Sequence, residues 1–179
     1  MTEGGHQPFG SSWLSAQLSE HGEFKGLNLN EVASGFPDSQ PLSTLTEFWR
    51  SRRPADGVLP ARRDFPVEDL RDWIGHVSLA EVHENPRRFR WRLIGSSIVK
   101  FMGRDTTGMW FDELYEGPML EGYLRNYSLA VDRREPVFFK GDLEFVGKDF
   151  VHFRMVQLPL AADGRNVDML LLCLDFSKY

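Results

Sequence analysis

The residues that could carry out chemistry in this chain are few, and their spacing does not match a catalytic motif. The glycine spacing from Gly103 to Gly108 is that of a phosphate-binding loop, which also needs a lysine and a serine or threonine after the second glycine. Met109 and Trp110 stand there instead. Two turn glycines around a short helix explain the pattern better, so we do not expect phosphate binding.

Histidine, serine and carboxylate positions are equally uninformative. The five histidines have no metal-ligand spacing among them, so we predict no metal site. Gly95-Ser96-Ser97 lacks the second glycine of a nucleophile elbow. The acidic pairs Glu68-Asp69 and Asp112-Glu113 are typical of solvated helix faces. We therefore predict no catalytic residues and no enzyme, although a small enzyme that uses an internal cavity remains an alternative.

Charge argues against a nucleic-acid partner. The formal net charge is -5, whereas phosphate backbones bind basic surfaces. Arginines do cluster between Arg50 and Arg63, interleaved with Trp49 and Phe65, as on some nucleic-acid surfaces. Arginines that lie over a sheet and pair with nearby acids explain this cluster better.

The single cysteine, Cys173, excludes an intrachain disulfide and a cysteine metal cluster. It lies in the longest apolar run, Met169 to Leu174, which is far too short to cross a bilayer, and we expect a buried, inert thiol there. Residues 1–10 lack the basic and apolar regions of a signal peptide. We therefore expect a cytoplasmic protein without a membrane partner.

Two regions are expected along the chain: a flexible or weakly helical N-terminal extension over residues 1–41, and a domain over residues 42–179. The domain would begin with two helices, over residues 43–53 and 66–74, because Thr44 and Glu47 have capping-box spacing and Pro66 suits a first helical position. Helical spacing predicts short pieces from Ser96 to Leu114 and a longer helix from Met119 to Asp132.

Alternation of apolar and polar residues predicts five strands: Val77 to His83, Arg88 to Gly95, Val137 to Phe145, Phe150 to Leu160, and Val167 to Phe176. Neither block of strands could bury its apolar face alone, so both must share one antiparallel sheet. The fold is therefore predicted to be α+β: a five-stranded antiparallel sheet covered on one face by short helices, with an N-terminal helical extension.

Several short motifs occur together in this order: Phe48-Trp49-Arg50, Leu59-Pro60-Ala61-Arg62 with Asp64-Phe65, Phe89-Arg90-Trp91-Arg92-Leu93-Ile94-Gly95, and Gly103-Arg104-Asp105 with Thr107-Gly108. In these motifs the chain resembles a bacterial, mainly alphaproteobacterial, family of PAS-like domains from about Leu42 to Phe176. The resemblance implies a sensory or regulatory domain of bacterial signalling that acts through a small ligand, a protein partner or both. It implies no catalytic residues.

The cofactor stays unknown, but two known PAS chemistries are argued against. Flavin-binding photosensors carry a reactive cysteine in the short helices after the second strand, and Ser96 to Leu114 contains none. Haem-binding members place a histidine on the long helix, and Met119 to Asp132 contains none.

Large apolar side chains are expected to face inward between the sheet and the helices, where they could form a site for a small, mostly apolar ligand. A fully packed core without a ligand, which would make the domain a scaffold, is the equal alternative. The candidate residues are Phe89, Trp91, Phe101, Met102, Phe111, Tyr123, Tyr127, Phe139, Phe153, Met155 and Met169.

The last strand is apolar on both faces, so its second face also needs a cover. We expect that face to carry Leu170, Leu172 and Leu174, and its cover is either the chain's own helix, through Leu45, Phe48 and Trp49, or a second subunit. We expect a homodimer in which the N-terminal segment takes part, with an unidentified signalling protein as a further partner.

Gly147-Lys148-Asp149 is expected to form a three-residue hairpin loop. That register would pair Glu144 with His152 and Asp142 with Arg154 across the strands.

Overall fold

The computed structural model describes residues 29–143 and 148–176, and the described residues form an α+β fold around one antiparallel sheet of six strands. The strands are β1 (Leu29–Glu31), β2 (Val77–His83), β3 (Arg88–Ile94), β4 (Val137–Leu143), β5 (Lys148–Leu160) and β6 (Met169–Asp175). Their spatial order is β1-β4-β5-β6-β2-β3. The two strand blocks of the sequence therefore join through β6 and β2, as their shared apolar surface requires.

The sixth strand corrects the predicted count of five. Strand β1 pairs with the outer edge of β4, with Leu29 opposite Gly141 and Glu31 opposite Phe139. It is only three residues long, too short for an alternating pattern to be visible in the sequence. Residues 1–28 of the predicted extension lie outside the described residues, and residues 29–41 include β1 and the start of the first helix.

The helices are α1 (Gln40–Ser51), α2 (Ser96–Met102), α3 (Phe111–Leu114) and α4 (Gly117–Arg133). Helix α1 begins before the predicted residue 43, because Pro41 lies in its first turn. The helix predicted over residues 66–74 is wrong: that segment consists of turns and one short 3₁₀ helix, Arg71–Trp73. Another short 3₁₀ helix spans Arg62–Asp64.

The sheet has two covered faces, which we call the inner and the outer face. The inner face carries Trp91, Phe153 and Phe176 and is covered by α2, α3 and α4: Trp91 contacts Phe111 and Tyr127, and Phe176 stacks on Phe101. The outer face carries Val156 and Leu158 and is covered by α1, whose Leu42, Leu45 and Trp49 are fully buried. Helices α2, α3 and α4 thus cover one face, as expected, and of the two covers considered for the other face it is the chain's own helix that is found.

The register of β6 reverses the predicted assignment of its two faces. Met155 pairs with Leu174 and Gln157 pairs with Leu172, so Leu170, Leu172 and Leu174 lie on the inner face. Met169 pairs with Leu160 and therefore lies on the outer face. A strand that is apolar on both faces shows no apolar–polar alternation, so its sequence cannot tell which row of side chains lies under which helices.

The β4–β5 hairpin also differs from its predicted register. Asp142 pairs with His152, and Lys140 pairs with Arg154. A register irregularity between Asp142 and Leu143 moves the ladder away from the simple loop that was expected. The predicted pair of Glu144 with His152 involves a residue outside the described part of the chain.

Candidate functional site

Aromatic rings from three elements meet over the inner face. Strand β3 contributes Phe89 and Trp91, which lie on one face because side chains two residues apart on a strand point the same way. Phe111, the first residue of α3, lies at the centre, and its ring centroid is 4.9 Å from that of Trp91 and 4.9 Å from that of Tyr127 on α4. We call this group, with Tyr115 and Tyr123, the aromatic cluster.

The tyrosines of the aromatic cluster remain neutral. Tyr115 and Tyr123 stack with 4.2 Å between ring centroids. Burial raises the pKa of Tyr115, and it raises the pKa values of Tyr123 and Tyr127 well above the ordinary range. These groups therefore act as neutral hydroxyls and offer no anion for nucleophilic or base chemistry.

Gln157 is the polar side chain at the centre of the inner face. It is fully buried, and both its amide oxygen Oε1 and its amide nitrogen Nε2 lack a hydrogen-bond partner among the described residues. Trp91 Nε1 also lacks a hydrogen bond of normal geometry, although Tyr115 interacts with the indole. An unpaired buried polar group costs about 1–3 kcal/mol, and nearly all buried polar groups in folded proteins have a partner.

On the outer face, side-chain hydrogen bonds and several ring contacts attach α1. The indole N–H of Trp49 donates to the backbone oxygen of Pro159 on β5 at 2.9 Å. Phe48 stacks on Trp73 with 5.8 Å between ring centroids and contacts Phe65 edge-on. Helix α1 is therefore seated through its apolar side on the sheet and on the connector that follows it.

Arg154 ties the segment before α1 to the sheet. Its guanidinium lies 2.7 Å from a carboxylate oxygen of Asp38 and 2.7 Å from one of Asp175 on β6. Ser39, the residue before α1, donates its hydroxyl to the same Asp175 oxygen at 2.6 Å. We call Asp38, Arg154 and Asp175 the latch. These contacts make the start of α1 sensitive to the positions of β5 and β6.

The comparisons with known proteins agree with this architecture. A PAS domain family model matches residues 38–174. The chain belongs to the PAS domain family. Neither the curated proteins nor the solved structures that were compared with the chain gave a match. PAS domains are in general sensory or regulatory signalling modules and are typically non-enzymatic. The bacterial branch named by the sequence resemblance stays a prediction.

The PAS motif Leu59-Pro60-Ala61-Arg62, with Asp64-Phe65, has a structural role. Leu59 donates its backbone N–H to Gly164 and Pro60 accepts from Ala161, so the Leu59-Pro60-Ala61 segment is fixed to the β5–β6 loop. Asp64 accepts the N–H of Ala61 at 2.8 Å, and Phe65 is fully buried. The segment thus holds the connector after α1 in place and does not itself form a site.

The structure brings most of the predicted cavity residues of this PAS domain together and separates others. Buried on the inner face or on its covering helices are Phe89, Trp91, Phe111, Tyr123, Tyr127, Phe139, Phe153 and Met155. Phe101 and Met102 on α2 are half-buried, next to the core. Met169 is misplaced in this set because it lies on the outer face. The ligand-binding role of the set stays a prediction.

The predicted interface residues do not form one surface. Leu45 and Trp49 belong to the chain's own α1 and are fully buried between it and the sheet, and Phe48 is partly buried beside them. Leu170 and Leu172 are fully buried on the inner face, with Leu174 in the same row, on the opposite side of the sheet from α1. The chain's own helix therefore covers the outer face, and the reason for placing a second subunit there no longer holds.

Gln157 is not among the predicted cavity residues, although the sequence contains a signal for it. Gln157 lies an even number of residues from Phe153 and Met155, so the predicted strand places the three side chains on the same, inward face. A lone glutamine in an inward-facing apolar row indicates a polar side chain inside the core.

Membrane-spanning helices and metal-binding clusters are two other features to consider among the described residues. Over residues 29–143 and 148–176, no helix is long and apolar enough to cross a membrane. The same residues contain no cluster of three or more histidine, cysteine or acidic side chains that could hold a metal ion. Several arginines of the predicted basic segment have partners in the chain: Arg52 pairs with Asp69, and Arg53 with Glu135.

Proposed function

We propose that this PAS domain binds a small, mostly apolar ligand between the inner face and helices α3 and α4, and thereby regulates a signalling protein. The aromatic cluster is the observation that supports this proposal. Its rings come from β3, α3 and α4, and α3 is only four residues long. A short helix has few backbone hydrogen bonds of its own, so this wall of the cluster can move at low cost.

Strand β5 connects the proposed site to the opposite face. Gln157 points inward, while the neighbouring Val156 and Leu158 point outward beneath α1. The same strand supplies Pro159 to the Trp49 hydrogen bond and Arg154 to the latch. A ligand that prefers one position of β5 changes the fraction of molecules in which α1 lies on the outer face. A partner protein would bind one of these two states better than the other.

Native mass spectrometry of the purified protein, compared with its denatured mass, tests ligand binding. Phe111→Leu should lower the bound fraction because Phe111 contacts most rings of the aromatic cluster. Phe65→Leu is the matched control, since Phe65 is equally buried but lies beside α1.

A small molecule lost from Phe111→Leu but kept by Phe65→Leu supports the proposal. A wild-type protein that carries no molecule, and that takes up none from a panel of small apolar and aromatic compounds, contradicts it and favours a ligand-free scaffold. Sedimentation of the same samples tests the predicted homodimer. That prediction now needs an interface other than the face covered by α1.

A further inference from the structure

Gln157 is surrounded on the sheet by apolar side chains. Its cross-strand neighbours are Val137 on β4 and Leu172 on β6, both almost completely buried. Along β5, the neighbours on the same face are Met155 and Pro159. None of these four side chains can donate or accept a hydrogen bond of normal strength. The amide of Gln157 therefore finds no partner on the surface of the sheet from which it projects.

A primary amide presents an acceptor and a donor side by side in one plane. Both atoms of Gln157 are buried without a partner, although nearly all buried polar atoms in folded proteins have one. The complement of such a pair is a group with a donor and an acceptor at the same spacing, such as the N–H and C=O of a lactam. A carboxylate fits less well, because the four neighbouring side chains provide no positive charge.

The same face also carries aromatic side chains. Trp91 Nε1 on β3 is buried and has no hydrogen bond of normal geometry, although Tyr115 interacts with the indole. Between β5 and β3 on this face, the side chains on β2 are the small Ser78 and Ala80, both almost completely buried. Trp91 stands opposite Ala80 across β2 and β3 and contacts Tyr127 edge-on, and aromatic rings stack well on flat ligands.

We propose that Gln157 is the specificity-determining residue of the inner-face site and that it selects a flat aromatic ligand with a lactam edge. This inference depends on the ligand-binding function proposed above and adds the chemical class of the ligand. The lactam N–H donates to Gln157 Oε1 and the lactam oxygen accepts from Nε2, so both unpartnered atoms are satisfied by one molecule.

The test uses two probes that differ only at the lactam nitrogen. 2-Quinolone has the N–H, and 1-methyl-2-quinolone lacks it but has the same flat apolar body. Titration calorimetry should show 2-quinolone binding to the wild-type protein at least tenfold more tightly than the methylated probe. Gln157→Met keeps the length of the side chain and removes the amide, so it should abolish the difference between the probes. Leu158→Met, on the outer face of the same strand, is the matched control and should keep it.

The ligand-free proteins provide a second measurement. If the amide of Gln157 is unsatisfied, Gln157→Met should raise the thermal midpoint without any probe. A lower midpoint would mean that the protein or a trapped water already satisfies the amide, which overturns the inference. Equal binding of both probes to the wild type would also overturn it, while the proposed ligand-binding function would stand. Binding of neither probe, at concentrations up to their solubility, overturns the inference. The proposed function then depends on the mass-spectrometric result.

Discussion

Trp49 on α1 donates its indole N–H to the backbone oxygen of Pro159 on β5, across a distance of 2.9 Å. The Trp49 side chain is fully buried, so this contact fixes where α1 lies on the outer face. Helix α1 thereby covers the outer face of the sheet. Without it, Val156, Leu158 and Cys173 would be exposed.

Trp49→Phe should lower the free energy of unfolding by about 2 kcal/mol, because it removes a buried hydrogen bond and leaves a small cavity. Arg50→Ala, at an exposed position of the same helix, should change that free energy by less than about 0.5 kcal/mol. Urea denaturation followed by circular dichroism measures both. Equal effects of the two substitutions would mean that α1 contributes little to the stability of the domain.

Gly95→Ala should destabilise the domain although the backbone of Gly95 is not in a strained conformation. A Cβ atom at Gly95 would lie 2.3 Å from the backbone oxygen of Gly75 and 2.5 Å from its carbonyl carbon. The same oxygen accepts the backbone N–H of Ser97, so it cannot move without loosening the start of α2. We expect a loss of about 1–3 kcal/mol in unfolding free energy.

Ser96→Ala, at the neighbouring exposed position, is the control for Gly95→Ala in the same denaturation experiment. A Gly95→Ala protein as stable as Ser96→Ala would show that β3 and the Gly75 turn can separate without cost.

The Asp163 carboxylate should contribute to stability above about pH 4 and lose that contribution in stronger acid. Backbone N–H groups of Arg165 and Asn166 donate to it at 2.8 Å each, and the Asn166 amide donates at 2.7 Å. These bonds lower the pKa of Asp163 from 3.8 to about 2. A carboxyl group whose pKa is lower in the folded state stabilises that state above the unfolded pKa, and the effect disappears as pH falls through the folded pKa.

The thermal midpoint of Asp163→Asn should therefore lie below that of the wild type at pH 5, and the difference should shrink between pH 4 and pH 2. Calorimetry at several pH values measures it. Asp56→Asn, at an exposed acid in an earlier loop, is the control and should show a smaller change with pH. A difference for Asp163→Asn that stays constant from pH 5 to pH 2 would contradict the assigned role of these hydrogen bonds.

The sequence alone predicted most strands of the sheet and the long helix, because these segments have a clear period. β2 has the predicted bounds, and the bounds of β3 differ by one residue. The two faces of β6 could not be assigned, since Leu170 to Leu174 is apolar in both rows and only long-range pairing decides which row meets which helices. The latch could not be predicted because Asp38, Arg154 and Asp175 are brought together by three distant segments.

Only the part of the site that depends on periodicity within one strand could be predicted. Large inward-facing side chains such as Phe89 and Met155 follow from alternation within one strand. The unpartnered state of Gln157 depends on what stands opposite it on β4 and β6, and sequence spacing does not contain that information.

Cys173 should report the opening of α1, because it is the only cysteine of the chain and lies on the outer face that α1 covers. Burial raises the pKa of its thiol to about 12, so the folded protein holds a protonated and inaccessible thiol at pH 8. Iodoacetamide should therefore label the native wild-type protein slowly and the denatured protein fast.

Arg154→Gln should increase the labelling rate of native Cys173 by about tenfold or more, because the guanidinium loses its charged hydrogen bond to the mostly buried Asp175, a class of bond that contributes about 1.5–3 kcal/mol, as well as its pair with the exposed Asp38. Lys140→Gln is the matched control: Lys140 stands directly opposite Arg154 on the sheet and is exposed. Mass spectrometry of quenched samples gives the rates, and urea denaturation of each variant gives its global stability. The labelling rate of Arg154→Gln can be compared with the rate expected from its loss of unfolding free energy. A larger increase in labelling than that loss explains would show local opening of α1. Fast labelling of the native wild type, or equal rates for the two variants, would show that the latch does not control access to the outer face.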